Sequence, residues 1–197
     1  MVDTWRLFIA LELPSELVAS LEEVQAQLIR QTPPRTVRWV QPGSIHLTLK
    51  FLGDSPVSQR ISLEDALRRA TNEHIPFRIT AGGLGCFPNT NRPRVVWIGI
   101  RETANTLTAL RDSVERFVAP LGYPTENRPF SPHLTLGRVN RDASHAAIQK
   151  LGNLIAGISL GDLYTWTVTE VSLMRSELRP DGAVYTALHH APLQPNA

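Results

Sequence analysis

The chain has 197 residues, with 20 Lys+Arg against 18 Asp+Glu, a formal net charge of +2 and a pI near 9.0. That length suits one domain with a sizeable interior. The charge balance excludes the extended basic surface of a large duplex-binding protein, while a local cationic cleft remains compatible with it. A single cysteine, Cys86, excludes an internal disulfide and fits a reducing compartment. No apolar run reaches membrane-spanning length and the N-terminus lacks a leader pattern, so a cytoplasmic protein is expected.

Trp5 to Leu11 alternates as a strand does, with Leu7, Ile9 and Leu11 on one side and Arg6, Phe8 and Ala10 on the other. Pro14 and Ser15 open a helix whose stripe is Leu17, Leu21, Val24 and Leu28, with Glu16 suited to the positive end of its dipole. Thr32-Pro33-Pro34 ends it. A short strand over Val37 to Val40 and a Pro42-Gly43 turn lead into a strand from Ser44 to Lys50. Gly53-Asp54-Ser55-Pro56 breaks the chain before a helix over 57–72 carrying Leu63, Ala66, Leu67 and Ala70.

Phe77 to Ala81 reads as a strand, and Gly82 to Pro88 as its end running into a turn, with Cys86 a packed thiol. Asn89 to Pro93 is a loop. Val95 to Ile100 is apolar on both faces, as a covered central strand is. A helix over 103–119 carries Leu107, Leu110, Val114 and Phe117, and a Pro-rich loop over 120–132 precedes a strand at His133. A fourth helix carries Ala147, Ile148, Leu151 and Leu154. Strands near 166–176 and 183–190 close the chain through the turn Arg179-Pro180-Asp181-Gly182. Several strands are joined by short turns rather than helices. The expectation is therefore α+β: antiparallel sheets with helices on their outer faces, in two similar halves lining a cleft. No linker interrupts residues 1–197, which read as a single domain.

The halves are suggested by a repeat: His46-Leu47-Thr48-Leu49 returns as His133-Leu134-Thr135-Leu136. Strand alternation puts His46, Thr48 and Lys50 on one face, and Ile45, Leu47, Leu49 and Phe51 on the other. His133 and Thr135 likewise oppose Leu134 and Leu136. One histidine in a strand is commonly structural. Two His/Thr pairs, each following a turn signal, instead suggest a small phosphate-sized site.

Phosphoryl displacement needs a base for the nucleophile, an acid for the leaving oxygen and donors for the non-bridging oxygens. Imidazoles with pKa near 6.5 fill the first two roles and threonine hydroxyls the third. No cofactor is needed. Zinc or two-metal sites want three or more converging ligands, and neither motif has a nearby carboxylate or second imidazole, so no metal is expected. The chain lacks a phosphate-binding glycine loop with Lys, a dinucleotide fingerprint and a Gly-x-Ser-x-Gly elbow. His74, His145, His189 and His190 read as structural. Arg35, Arg38, Arg92, Arg94, Arg128 and Arg138 lie near the motifs, where a short anionic substrate can meet them.

The two His-x-Thr-x motifs have distinctive flanks: Arg6-Leu7-Phe8-Ile9-Ala10-Leu11, Arg38-Trp39-Val40, Phe51-Leu52-Gly53, Ser131-Pro132, Gly137-Arg138 and Leu178-Arg179-Pro180-Asp181-Gly182-Ala183-Val184-Tyr185. Together they resemble the bacterial and archaeal RNA 2′,3′-cyclic phosphodiesterases, also called 2′-5′ RNA ligases, of the 2H phosphoesterases. The resemblance implies a bilobal, pseudo-symmetric fold with two antiparallel sheets facing a central cleft. It also implies metal-independent hydrolysis of an RNA terminal 2′,3′-cyclic phosphate to a 2′-phosphomonoester, and reversible 2′-5′ joining. By the same resemblance His46 is the proton donor, His133 the proton acceptor, and Thr48 and Thr135 hold the phosphate.

Arg138, Lys50 and Phe8 complete the expected substrate contacts. Strict parity puts Arg138 opposite His133, so its role needs a bulge near Gly137. Lys50 has the right parity, with solvent as its other destination. Phe8 suits a nucleobase stack or a packed aromatic equally. The expected partner is RNA with a cyclic phosphate end, such as tRNA halves or short oligonucleotides, bound by a monomer away from any membrane. A non-catalytic RNA-end binder and an enzyme for another cyclic phosphate are the alternatives.

Overall fold

The computed structural model describes residues 3–179 and 182–194; Pro180 and Asp181, at the expected hairpin turn, lie outside them. The chain runs β1 (Thr4–Leu11), α1 (Ser15–Gln31), β2 (Val37–Trp39), β3 (Leu47–Pro56), α2 (Arg60–Thr71), β4 (Phe77–Phe87), β5 (Val95–Arg101), α3 (Thr106–Val118), β6 (His133–Val139), α4 (His145–Gly157), β7 (Asp162–Val168), β8 (Glu170–Arg179) and β9 (Gly182–Pro192). The α+β architecture expected from the sequence is present. The strands form one antiparallel sheet in the order β7-β4-β5-β6-β3-β1-β8-β9, with β2 added on β6.

The sheet has two arms, β3-β1-β8-β9 and β7-β4-β5-β6, and each contains a strand–helix–strand unit: β1-α1-β3 in one, β5-α3-β6 in the other. They meet through a single antiparallel pair, Leu47 with Leu134. The two expected sheets are thus continuous at a narrow seam. Alternation then sorts the faces. Leu7, Ile9 and Leu11 join the main core, whereas Phe8 and Ala10 pack with Met174 in a separate small cluster on the other side of β1.

Three stretches differ most from the sequence reading. The first motif strand begins at Leu47 rather than Ser44, because Pro42–Ser44 form a 3-10 turn, and it runs on through Gly53-Asp54-Ser55-Pro56, expected to break the chain, because these residues pair with Thr4 to Leu7 of β1. β4 continues through Phe87, so that Gly82 to Phe87, expected as a strand end running into a turn, is strand throughout. Its glycines support the strand by giving room to a neighbour: Trp97 of β5 pairs with Gly85, and a Cβ there would fall 2.3 Å from the indole. The segment expected as one strand near 166–176 is two, β7 pairing with β4 and β8 with β1, so the chain crosses between arms at Thr169.

Lys50 is a fourth correction. The β1/β3 register passes from Ala10–Thr48 to Ile9–Lys50, leaving Leu49 as a bulge that reverses the alternation. Lys50 therefore leaves the motif face and is only 3% exposed, its Nζ 2.8 Å from Glu115 Oε2 and 2.6 Å from the Pro124 carbonyl. Glu115, also buried, is paired with Arg111 at 3.0 Å. A buried charge needs such partners, and removing one leaves the others uncompensated. We expect Glu115→Ala to lower stability by about 3–5 kcal/mol in urea denaturation, and Lys50→Met combined with Glu115→Leu to recover a substantial part of that loss.

Candidate functional site

The seam fixes the geometry of the two motifs. With Leu47 opposite Leu134 in antiparallel register, counting one residue either way sets His46 opposite Thr135 and Thr48 opposite His133. All four side chains lie on the face away from the paired leucines. Diagonal neighbours in such a pair stand roughly 7–8 Å apart, and the two histidines occupy that diagonal. His46, Thr48, His133 and Thr135 line one cavity of about 550 Å³.

Each imidazole is held in the same way. His46 Nδ1 lies 3.0 Å from the Ser44 carbonyl, and His133 Nδ1 lies 2.7 Å from the Ser131 carbonyl. A carbonyl accepts only, so Nδ1 carries the proton and Nε2 is the titrating atom. Aromatic rings fix the planes. Tyr185 meets His46 edge-on at 5.0 Å and Phe87 meets His133 edge-on at 4.9 Å, with Phe8 and Trp97 as second, tilted neighbours.

Burial lowers the pKa of His46 below the usual histidine value, opposed by the hydrogen bond to Ser44. Burial also lowers that of His133, opposed by the Ser131 hydrogen bond and reinforced by the charge of Arg138.

Arg138 reaches the cavity because of a second bulge. The β5/β6 register passes from Trp97–Thr135 to Val96–Gly137, so Leu136 is skipped and the following alternation reverses. The Leu136 carbonyl is held by Gln25 Nε2 at 2.9 Å and the Val40 amide at 2.9 Å, and Gln25 also donates to the Val40 carbonyl at 2.8 Å. Gln25 is buried in the stripe of α1, where the sequence reading put Val24. Gly137 lets β2 approach, since a Cβ there would sit 2.5 Å from Val37 Cγ1.

The two bulges occupy the same place in the two motifs, so Phe51 is the counterpart of Arg138. Strict alternation had put Phe51 on the buried face, but it lines the cavity and is 60% exposed. Phe8 lines the same cavity yet is 3% exposed, packed against His46 at 4.6 Å and Tyr185 at 5.2 Å. Arg6 and Arg38 join Arg138 in the lining, which contains no Asp or Glu among the described residues. Arg35, Arg92, Arg94 and Arg128 are not part of it. Tyr185 and Arg6 lay within motif-flanking segments, but no local pattern singled them out. Chemically, the site offers two oriented imidazole Nε2 atoms, two hydroxyls and three guanidinium groups around a pocket suited to an anion.

A family model described as LigT like Phosphoesterase matches the chain twice, over residues 11–97 and 98–185, one His-x-Thr copy in each. A Methanothermobacter thermautotrophicus protein named RNA 2′,3′-cyclic phosphodiesterase is 36% identical over 92% of this chain and 95% of its own length. A protein of the same name from Aquifex aeolicus is 34% identical over 86% of this chain and 89% of its own. The crystal structure of a Thermus thermophilus protein superposes with a TM-score of 0.79 at 31% identity, covering 98% of this chain and all of that one. Escherichia coli LigT complexed with 3′-AMP gives 0.75 at 27%, covering 97% and 99%.

Two measurements test this arrangement. Gln25→Leu removes the side-chain donor shared by the Leu136 and Val40 carbonyls, leaving Leu136 only the Val40 amide, and should lower stability by about 1–3 kcal/mol in urea denaturation. The second concerns pH: both imidazoles bind protons less readily in the folded chain than in the unfolded one, where the pKa is about 6.5. Their contribution to stability is therefore complete above that value and is lost as pH falls toward the folded pKa values. The urea midpoint should drop between about pH 7.5 and pH 5.5, and drop less in a His46→Asn/His133→Asn variant.

Proposed function

Because the chain belongs to the LigT-like phosphoesterases, we propose that it hydrolyses the 2′,3′-cyclic phosphate at an RNA end to a 2′-phosphomonoester, using His46 and His133 and no metal. The observation that carries this reading is the pair of backbone-anchored imidazoles on one cavity, each opposite a threonine. The names of the Methanothermobacter thermautotrophicus and Aquifex aeolicus relatives support the substrate class.

Neutral His133 takes a proton from the attacking water as its oxygen bonds to phosphorus. His46, protonated, gives its proton to the 3′-oxygen as the P–O3′ bond breaks. Each such transfer is typically worth ~10²–10⁴-fold. Arg138 supports this assignment, since its charge opposes protonation of His133. The phosphate's own charge favours protonation of His46 once substrate is bound. Thr48 and Thr135 donate to the non-bridging oxygens, and Arg138 balances their charge. The same displacement with an RNA 5′-hydroxyl in place of water joins ends through a 2′-5′ bond. The duplicated halves act as one bilobal domain, since each supplies one histidine to the shared cavity.

The test is incubation with a 2′,3′-cyclic mononucleotide and with a cyclic-phosphate-ended RNA in excess EDTA. A 2′-phosphate product is expected from both. Retained binding without turnover would indicate an RNA-end binder, turnover of only non-RNA cyclic phosphates a different substrate, and loss in EDTA reversed by a divalent cation a metal requirement. His46→Ala and His133→Ala should each lower kcat by roughly 10²-fold or more, with the circular dichroism and urea midpoint of a folded protein.

A further inference from the structure

The wall formed by β1 and β3 presents its cavity-facing groups in a fixed order. Thr48 lies beside Ala10, Phe51 beside Phe8, and Arg6 comes next along β1, opposite Asp54 of β3 and Ser176 of β8. At about 3.3 Å per residue, Arg6 is ~13 Å along the strand from Ala10 and thus from the position of Thr48. Phe51 is midway. Its ring has Phe8 6.3 Å away on the protein side and is otherwise open at the rim. Leu178, 74% exposed, lines the same end of the cavity.

Arg6 has no carboxylate within ion-pair distance among the described residues, although Asp54 is its cross-strand neighbour. An exposed guanidinium turned into a cavity whose described lining residues include no Asp or Glu, beyond an exposed aromatic ring, fits an anion that lies one nucleotide from the reacting phosphate.

Resting on the reading in the preceding section, we propose that Phe51 and Arg6 form a second subsite, Phe51 stacking on the base of the terminal nucleotide and Arg6 binding the phosphodiester on its 5′ side. The enzyme then distinguishes a cyclic phosphate at the end of a polynucleotide from a free nucleoside 2′,3′-cyclic phosphate, which lacks that 5′ phosphodiester. Phe51 serves both substrates; Arg6 serves only the polymer. The contact is between opposite charges near the surface, so its effect falls as salt rises.

The experiment compares kcat/KM for a nucleoside 2′,3′-cyclic phosphate with that for a dinucleotide ending in the same group. Wild type is expected to favour the dinucleotide by about tenfold or more at low salt, through KM. Arg6→Ala should remove most of that ratio and Arg6→Lys should keep part of it, while Phe51→Ala should lower both substrates together. A wild type without preference, a ratio left unchanged by Arg6→Ala even where both rates fall, or wild-type kcat/KM on both substrates in Phe51→Ala would overturn the subsite alone. Failure of wild type to turn over either substrate would overturn the proposed chemistry and the subsite with it.

Discussion

One backbone pairing, Leu47 with Leu134, joins the two arms of the sheet. Because the pair is antiparallel, it relates the motifs by a local two-fold, so each histidine faces the other motif's threonine rather than its histidine. A parallel join would align like with like. A one-residue slip would turn one motif toward the core, since strand faces alternate with period two. The paired leucines are fully buried, so apolar burial on one face holds the register that arranges the polar groups on the other.

Symmetry alone would make the two imidazoles equivalent, whereas the proposed acid/base roles need them to differ. The difference arises just after the bulges. Beyond Leu49 the chain places Lys50 under α3 and Phe51 at the cavity; beyond Leu136 it places Gly137 under β2 and Arg138 at the cavity. One wall therefore ends in an aromatic ring and the other in a guanidinium. The backbone device is the same in both halves, and the side chains it carries give the two walls different electrostatics.

Much of the framework was legible because it rests on local periodicity. The β1 alternation, the stripes of the helices and the repeated His-x-Thr copies all depend on residues close together in the chain. Lys50, Phe51, Arg138 and Gln25 were misread or conditional for a common reason. The fate of the first three depends on a bulge, which is an extra residue relative to a partner strand and has no meaning within one strand. Gly137 hinted at irregularity in the second copy, whereas nothing in Leu49-Lys50 did so in the first. Gln25 passes as a surface residue until the carbonyls above α1 are known.

The sequence by itself determined the α+β class, the two-fold internal repeat and the identity of the paired imidazoles, because hydrophobic period and repeated residues are properties of a single chain. Tertiary structure alone decided that Lys50 is buried against Glu115, that Phe51 and Arg138 face the cavity, and that β7 and β8 belong to different arms. Those outcomes depend on register between strands far apart in sequence, where one skipped residue exchanges the core face for the solvent face.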